Sequence, residues 1–289
     1  MTEPTPTFNP RPSKSKLKLP AGSCDAHFHV FGPKASFPFA KDAPYTPVDA
    51  PKEELFAMHE FLGIDRGVVV QSTAHGYDHR AAAGLIADKK GRYVGVALLP
   101  VDVPMDEVKR LDAEGFRGVR FNYMQHLGTP PPIENVIKFC AKLASVGWHL
   151  QIHTESGFID RLAPSLKLSP VPVVIDHMGR IDAGLEMDQA PFRGLLKLLE
   201  DKKIWVKVSG VERASREGEP YSDAIPYARR LVSDFGDRVL WGTDWPHPNL
   251  KAIPDDGILV DLIAQMASTD AQRQALLVDN PQRFYGFKP

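Results

Sequence analysis

Four histidines and one aspartate stand where they could activate water. His27 and His29 flank a single phenylalanine, while His153, His177 and Asp244 each sit at or just past the end of a short apolar run. Residues two apart on an extended strand point to one face, so His27 and His29 are expected to share one. Buried imidazoles without partners are unfavourable, whereas imidazole and carboxylate donors together suit Zn²⁺ and similar divalent ions. The set His27, His29, His153, His177 and Asp244 therefore reads as a ligand set for Zn²⁺ or a similar divalent ion. Such an ion lowers the pKa of its bound water and supplies hydroxide at neutral pH. An HxH pair alone is a weak signal, and a lone strand-end histidine is more often a packing residue. Five such groups in one register are what argue for a site.

The elements that must position these groups follow from apolar patterning. β-branched and aromatic runs at 23–30, 66–71, 93–99, 117–122, 148–153, 172–177, 204–209 and 238–243 read as strands. Several are nearly continuous, such as GVVV and PVVI, as in parallel strands buried on both faces. Helical patterns lie between and after them, at 52–62, 79–90, 105–113, 133–145, 157–168, 188–200, 221–235 and 256–267. This β-then-α alternation predicts an α/β fold, a single-domain (β/α)8 TIM barrel. A doubly wound nucleotide-binding sheet would carry G-x-G-x-x-G after its first strand; none is present. Residues 1–20, rich in Pro, Thr, Lys and Ser, read as a flexible lead-in, and residues 21–289 as the barrel.

In such a barrel chemistry collects at the C-terminal ends of the strands. Gln71, Ser72 and His75 follow strand 2, Arg120, Asn122 and His126 strand 4, Arg180 strand 6 and Arg213 strand 7. His59 and His149 fall elsewhere and read as ordinary surface or packing residues. His247, in a Pro-flanked turn, reads as a brace for Asp244.

Composition sets the outer limits. Among 289 residues, 35 Lys+Arg balance 36 Asp+Glu for a net charge of −1, which argues against nucleic acid as partner. No apolar run approaches the ~18 residues needed to span a bilayer. Two isolated cysteines make no disulfide framework, and the N-terminus lacks the apolar core of a signal peptide, so a cytoplasmic location is expected. Homo-oligomerisation is left open.

Longer runs carry a resemblance. CDAHFHVFGP (24–33), RGVRFN (117–122), VVIDHMGR (173–180) and WGTDWPHPN (241–249) resemble the 2-pyrone-4,6-dicarboxylate lactonase branch of the amidohydrolase superfamily. The resemblance spans about residues 20 to 287. It implies a lactone hydrolase of aromatic-acid breakdown acting on a small anionic lactone, a pyrone dicarboxylate or a muconolactone or sulfomuconolactone. Asp244 would be the general base, with His27, His29 and His177 polarising the carbonyl directly or through a metal. Arg120, Arg180 and Arg213 would hold the acidic substituents, and His75 and Tyr45 match substrate-facing positions.

Two departures qualify this. The pyrone lactonases of that branch are regarded as metal-independent and lack the strand-5 histidine, whereas His153 is kept here, which favours one Zn²⁺ or Mn²⁺ while metal-independent action stays open. After RFN they carry a further basic residue, where this chain reads Met124-Gln125-His126. An imidazole is less reliably charged than a guanidinium at neutral pH, so either the second anion is bound differently or the substrate is a related muconolactone or sulfomuconolactone, with His126 kept among the substrate-binding candidates. A metal-dependent decarboxylase of an aromatic or dienoic acid is the alternative on the same ligands. A lactone isomerase and a binder without turnover are the others.

Overall fold

Strands β1 to β8 pair in strict chain order, each parallel to the next. The computed structural model describes residues 7–250 and 252–287. The first half runs β1 (Cys24–Phe28), α1 (Lys52–Leu62), β2 (Arg66–Val70), α2 (Arg80–Asp88), β3 (Tyr93–Ala97), α3 (Met105–Ala113), β4 (Phe116–Tyr123) and α4 (Ile133–Ala144). The second runs β5 (His149–Thr154), α5 (Ile159–Leu166), β6 (Val173–Ile175), α6 (Ala190–Leu199), β7 (Ile204–Lys207), α7 (Val211–Ala214), α8 (Ile225–Phe235), β8 (Val239–Leu240) and α9 (Asp256–Met266). The short helices α10 (Asp270–Gln274) and α11 (Asn280–Tyr285), like α7, interrupt stretches where the sequence pattern gives no helix.

The chain forms the expected (β/α)8 barrel, and three backbone hydrogen bonds join its last strand region to its first. Ala26 N donates to Trp241 O at 2.8 Å, Asp244 N to His27 O at 2.8 Å and His29 N to Trp245 O at 2.7 Å. Gly242 makes this approach feasible, since a Cβ there would lie 2.5 Å from the His27 nitrogen. Asp25 adds side-chain stitching: its Oδ1 accepts from the backbone of His27 at 2.9 Å and of Thr243 at 3.1 Å.

Alternation along each strand sorts side chains between the lumen and the helix layer. On β5, Leu150 and Ile152 join the core beneath the helices, while Gln151 reaches inward to Asp176. Val68, Val70, Val94, Val96 and Val174 line the lumen with Trp205, Tyr285 and Phe287. The strands are shorter than expected where the site begins. β1 ends at Phe28 and its pairing with β2 shifts register between Asp25 and Phe28. So His27 and His29 do not share a face by simple two-residue alternation along an intact strand. β6 and β8 end at Ile175 and Leu240, and the chain beyond them turns left-handed at His177 and Asp244, φ +50° and +63°.

Residues 7–20 hold no helix or strand, yet they are tied to the barrel. Phe8 packs on Trp245 with ring centroids 4.9 Å apart, and Ser13 N donates to Asp255 at 3.0 Å. Lys16 N donates to Asp261 at 2.7 Å.

His149 packs inside the barrel near Phe284 and Tyr285, with ring centroids 4.8 and 5.5 Å away. Burial, then the charge of Lys207, pushes its pKa down to about 3. In the unfolded chain it titrates near ~6.5. Between those values the unfolded chain holds a proton that the fold does not. Its stabilising contribution is therefore full above about pH 6.5 and declines on acidification by about 1.4 kcal/mol per unit. His149→Gln is expected to flatten the acid side of the stability profile. Denaturant unfolding across about pH 7 to 4.5 checks it, and equal slopes for parent and variant would refute the assignment.

Candidate active site

Toward the C-terminal rim of the lumen the inward positions turn polar. Nε2 of His29, His27 and His177 lie 3.4, 3.6 and 3.8 Å from Oδ1 of Asp244. His27, His177 and Asp244 each present a ligand atom within 4.8 Å of the others. His177 and Asp244 sit in left-handed backbone that non-glycine residues rarely adopt and that clusters at functional sites. His153 is one ring further out, 5.5 Å from His177 between centroids. Its Nδ1 is 3.1 Å from Asn122 Oδ1 and its Nε2 is buried without a partner.

Hydrogen-bond bookkeeping tests whether a cation fits. Nδ1 of His29 lies 2.7 Å from the Val70 carbonyl, which can only accept. The neutral ring therefore keeps its proton on Nδ1 and turns the Nε2 lone pair toward a carboxylate oxygen. Burial, partly offset by Asp244, lowers the His29 pKa, and burial holds His27 and His177 well below the ordinary imidazole range. Unprotonated imidazoles facing an ionised carboxylate leave a place for a positive ion between them. The donor set fits a divalent metal.

The other carboxylate oxygen is engaged. Arg213 Nε donates to Asp244 Oδ2, its Nη1 donates to Pro248 O at 3.1 Å, and Glu212 Oε1 lies 3.6 Å from Nε. Burial would raise the Asp244 pKa, but Arg213 and then His177 outweigh it and hold the carboxyl well below its usual range. Arg180 differs: no hydrogen bond or ion pair reaches its guanidinium among the described residues, and burial, then Arg213, presses it down to about 10. Arg120 is intermediate. It donates to Gln71 O at 3.3 Å and stands 3.7 Å from Asp176, with a buried, unpartnered Nε.

These groups line a cavity of about 290 Å³. A model of the amidohydrolase family matches residues 24–287, almost the whole barrel. The chain belongs to the amidohydrolase family. Named relatives of this amidohydrolase include a 2-pyrone-4,6-dicarboxylate hydrolase of Comamonas testosteroni, 45% identical over 95% of this chain and 93% of that one. A 4-sulfomuconolactone hydrolase of Hydrogenophaga intermedia is 37% identical over 94% and 91%. Among solved structures, a probable 2-pyrone-4,6-dicarboxylic acid hydrolase of Acinetobacter baumannii, with citric acid bound, superposes with TM-score 0.82 at 26% identity, covering 92% of this chain and 100% of that one.

Of the residues singled out in the sequence, the amidohydrolase cavity is lined by His29, His153, His177, Asp244, Arg120, Arg180, Arg213, Tyr45 and His126. His27 lies beneath them, fully buried. His75 does not line it. Its Nε2 accepts from Gly32 N at 3.1 Å and its Nδ1 faces Pro38 O at 3.3 Å, so the ring ties together the loop after β1. His247 donates its backbone N–H to Asp244 O at 2.8 Å, while its ring is 3.1 Å from Asp256. His59 lies 3.2 Å from Asp25 and 2.7 Å from the Tyr93 hydroxyl, away from the cavity.

Sequence reasoning missed Thr73, Leu127, Pro248, Asn249 and Leu250 in the lining, and Asp176 and Lys207 below it. Lys207 and Asp176 carried a usable signal, a charged residue at the end of the apolar runs IWVK and VVID.

Proposed function

We propose that this amidohydrolase hydrolyses a lactone bearing two acidic groups, with Asp244 as the base that takes the proton of water. The observation that carries the reading is the contrast between Arg213, held by carboxylates, and Arg180, a half-buried cation that no ion pair reaches among the described residues. Beside the histidine–aspartate cluster, Arg180 and Arg120 offer guanidinium groups that pair with carboxylate or sulfonate oxygens. Both named relatives act, by their names, on lactones of that kind, and citric acid, bound by the third, is itself a polyacid.

The residues divide the work as follows. Arg120 and Arg180 hold the two anionic substituents, and His126 and Tyr45 contact the same ligand from the rim. His75 acts on the ligand through the loop it ties. Asp244 Oδ1 accepts a proton from water as the water oxygen bonds to the lactone carbonyl carbon. The ring C–O bond then breaks, and the departing oxygen takes up the proton, giving an open-chain acid. Arg213 keeps Oδ2 occupied and so directs Oδ1 at the water. A Zn²⁺ or Mn²⁺ held by His27, His177 and Asp244, with His29 and His153 beside them, would make its bound water more acidic and so ease that proton transfer. The reaction is assigned to residues 21–289, with residues 7–20 outside the cavity lining.

Purified protein supplied with Zn²⁺ or Mn²⁺ is expected to open 2-pyrone-4,6-dicarboxylate or 4-sulfomuconolactone, followed as acid release at constant pH. No acid from either lactone sinks the reading. Carbon dioxide release with the ring intact would replace it with decarboxylation.

A further inference from the structure

Lys207 ends β7 with none of its surface exposed, a burial that lysine tolerates almost only when paired. Its Nζ lies 2.9 Å from Gln151 Oε1, 3.5 Å from Asp176 Oδ1 and 3.2 Å from Nδ1 of His27. Gln151 Nε2 donates in turn to Asp176 Oδ2 at 2.9 Å. This buried pair adjoins the histidine cluster, and lactone hydrolysis as described above makes no use of it.

The contact with His27 runs against the usual arrangement around a metal. An ammonium has three N–H groups and no lone pair, so it can only donate. Nδ1 of His27 must therefore accept, which leaves the neutral ring's single proton on Nε2. A metal-ligating histidine does the reverse: it gives its other N–H to a carboxylate, carbonyl or water and turns a lone pair to the metal. His29 follows that rule through the Val70 carbonyl. His27 does not. The group that would restore the rule is in place, since Asp176 Oδ1 lies 3.3 Å from Nδ1 and is buried without a hydrogen-bond partner.

We propose that Lys207 is a positioning residue that holds His27 in its Nε2–H tautomer and thereby opposes uptake of a divalent cation at His27, His177 and Asp244. Uptake moves the ring proton from Nε2 to Nδ1, where Asp176 Oδ1 accepts it, and the imidazole stays neutral throughout. Lys207 gives up its bond to His27 and keeps its hydrogen bond to Gln151 and its ion pair with Asp176. The proposal rests on the assignment of this cluster as the cation site.

Zinc affinity, measured by competition with a chromogenic chelator, together with the bound zinc in purified protein, tests it on the parent, Lys207→Met and Lys207→Arg. Lys207→Met preserves bulk and removes the donor. It is expected to bind zinc about ten- to a hundredfold more tightly, because a charge-assisted hydrogen bond no longer competes. Lys207→Arg, which still donates, is expected to stay close to the parent. A lysine with only a structural role would give unchanged or weaker binding in Lys207→Met, and that result overturns the proposal while leaving the cation site intact. Zinc binding by none of the proteins overturns the cation site as well. Should the unpaired Asp176 prevent Lys207→Met from folding, the double variant Lys207→Met/Asp176→Asn removes both charges and keeps an amide oxygen to accept from Nδ1. The same outcomes then apply to it.

Discussion

Asp244→Asn is expected to lower kcat by about 10²–10⁴-fold while leaving affinity for the anionic lactone unchanged or slightly tighter. Asparagine has nearly the same shape, so the backbone bond from Asp244 N to His27 O and the turn at φ +63° are retained. What disappears is the carboxylate that faces Nε2 of all three imidazoles, and with it the acceptor for the proton of water. The loss also removes one negative charge beside Arg213 and Arg180, so an acidic ligand meets a more positive cavity. Steady-state kinetics together with a direct binding measurement separates the two effects. Turnover near the parent rate would mean that the base lies elsewhere; loss of binding along with turnover would mean that the variant had collapsed the site.

The strand pattern made the barrel legible, because buried parallel strands advertise themselves as apolar runs such as RGVVV at β2 and YVGVA at β3. The ligands were legible for a related reason: a polar ring at the end of such a run has few uses. Strand ends were less so. His177 and Asp244 reach the site from left-handed turns beyond short strands, and a turn's φ is not written in a period-two pattern. His27 and His29 converge despite the register shift in β1, for which alternation has no term. Partnership was least visible. Three arginines on one rim looked equivalent in sequence, yet Arg213 is committed to Asp244 and Glu212, Arg120 is loosely tied, and no ion pair reaches Arg180 among the described residues. His75 illustrates the same limit, since only the folded loop reveals that Gly32 and Pro38 occupy its ring.

That difference among the arginines predicts opposite kinetic signatures for two variants that would otherwise look alike. Arg180→Met is expected to raise KM for the diacid lactone by about 10- to 100-fold with little change in kcat, since it removes charge-assisted bonds that ground state and transition state share. Arg180→Lys recovers part of the loss, because an ammonium cannot form the bidentate pair. Arg213→Met is expected to act mainly on kcat, by about tenfold or more, since it frees Asp244 Oδ2 and lets the carboxylate turn away from water. Stability separates them again. Arg180 is a half-buried charge that no hydrogen bond or ion pair reaches among the described residues, so replacing it by methionine is expected to raise the melting temperature slightly, whereas removing Arg213 strands two buried carboxylates and lowers it. A residue that weakens the free fold and strengthens only the complex has been retained for its ligand. If Arg180→Met melts lower than the parent and KM does not move, Arg180 has a structural partner and the second anion of the substrate must be held by other groups.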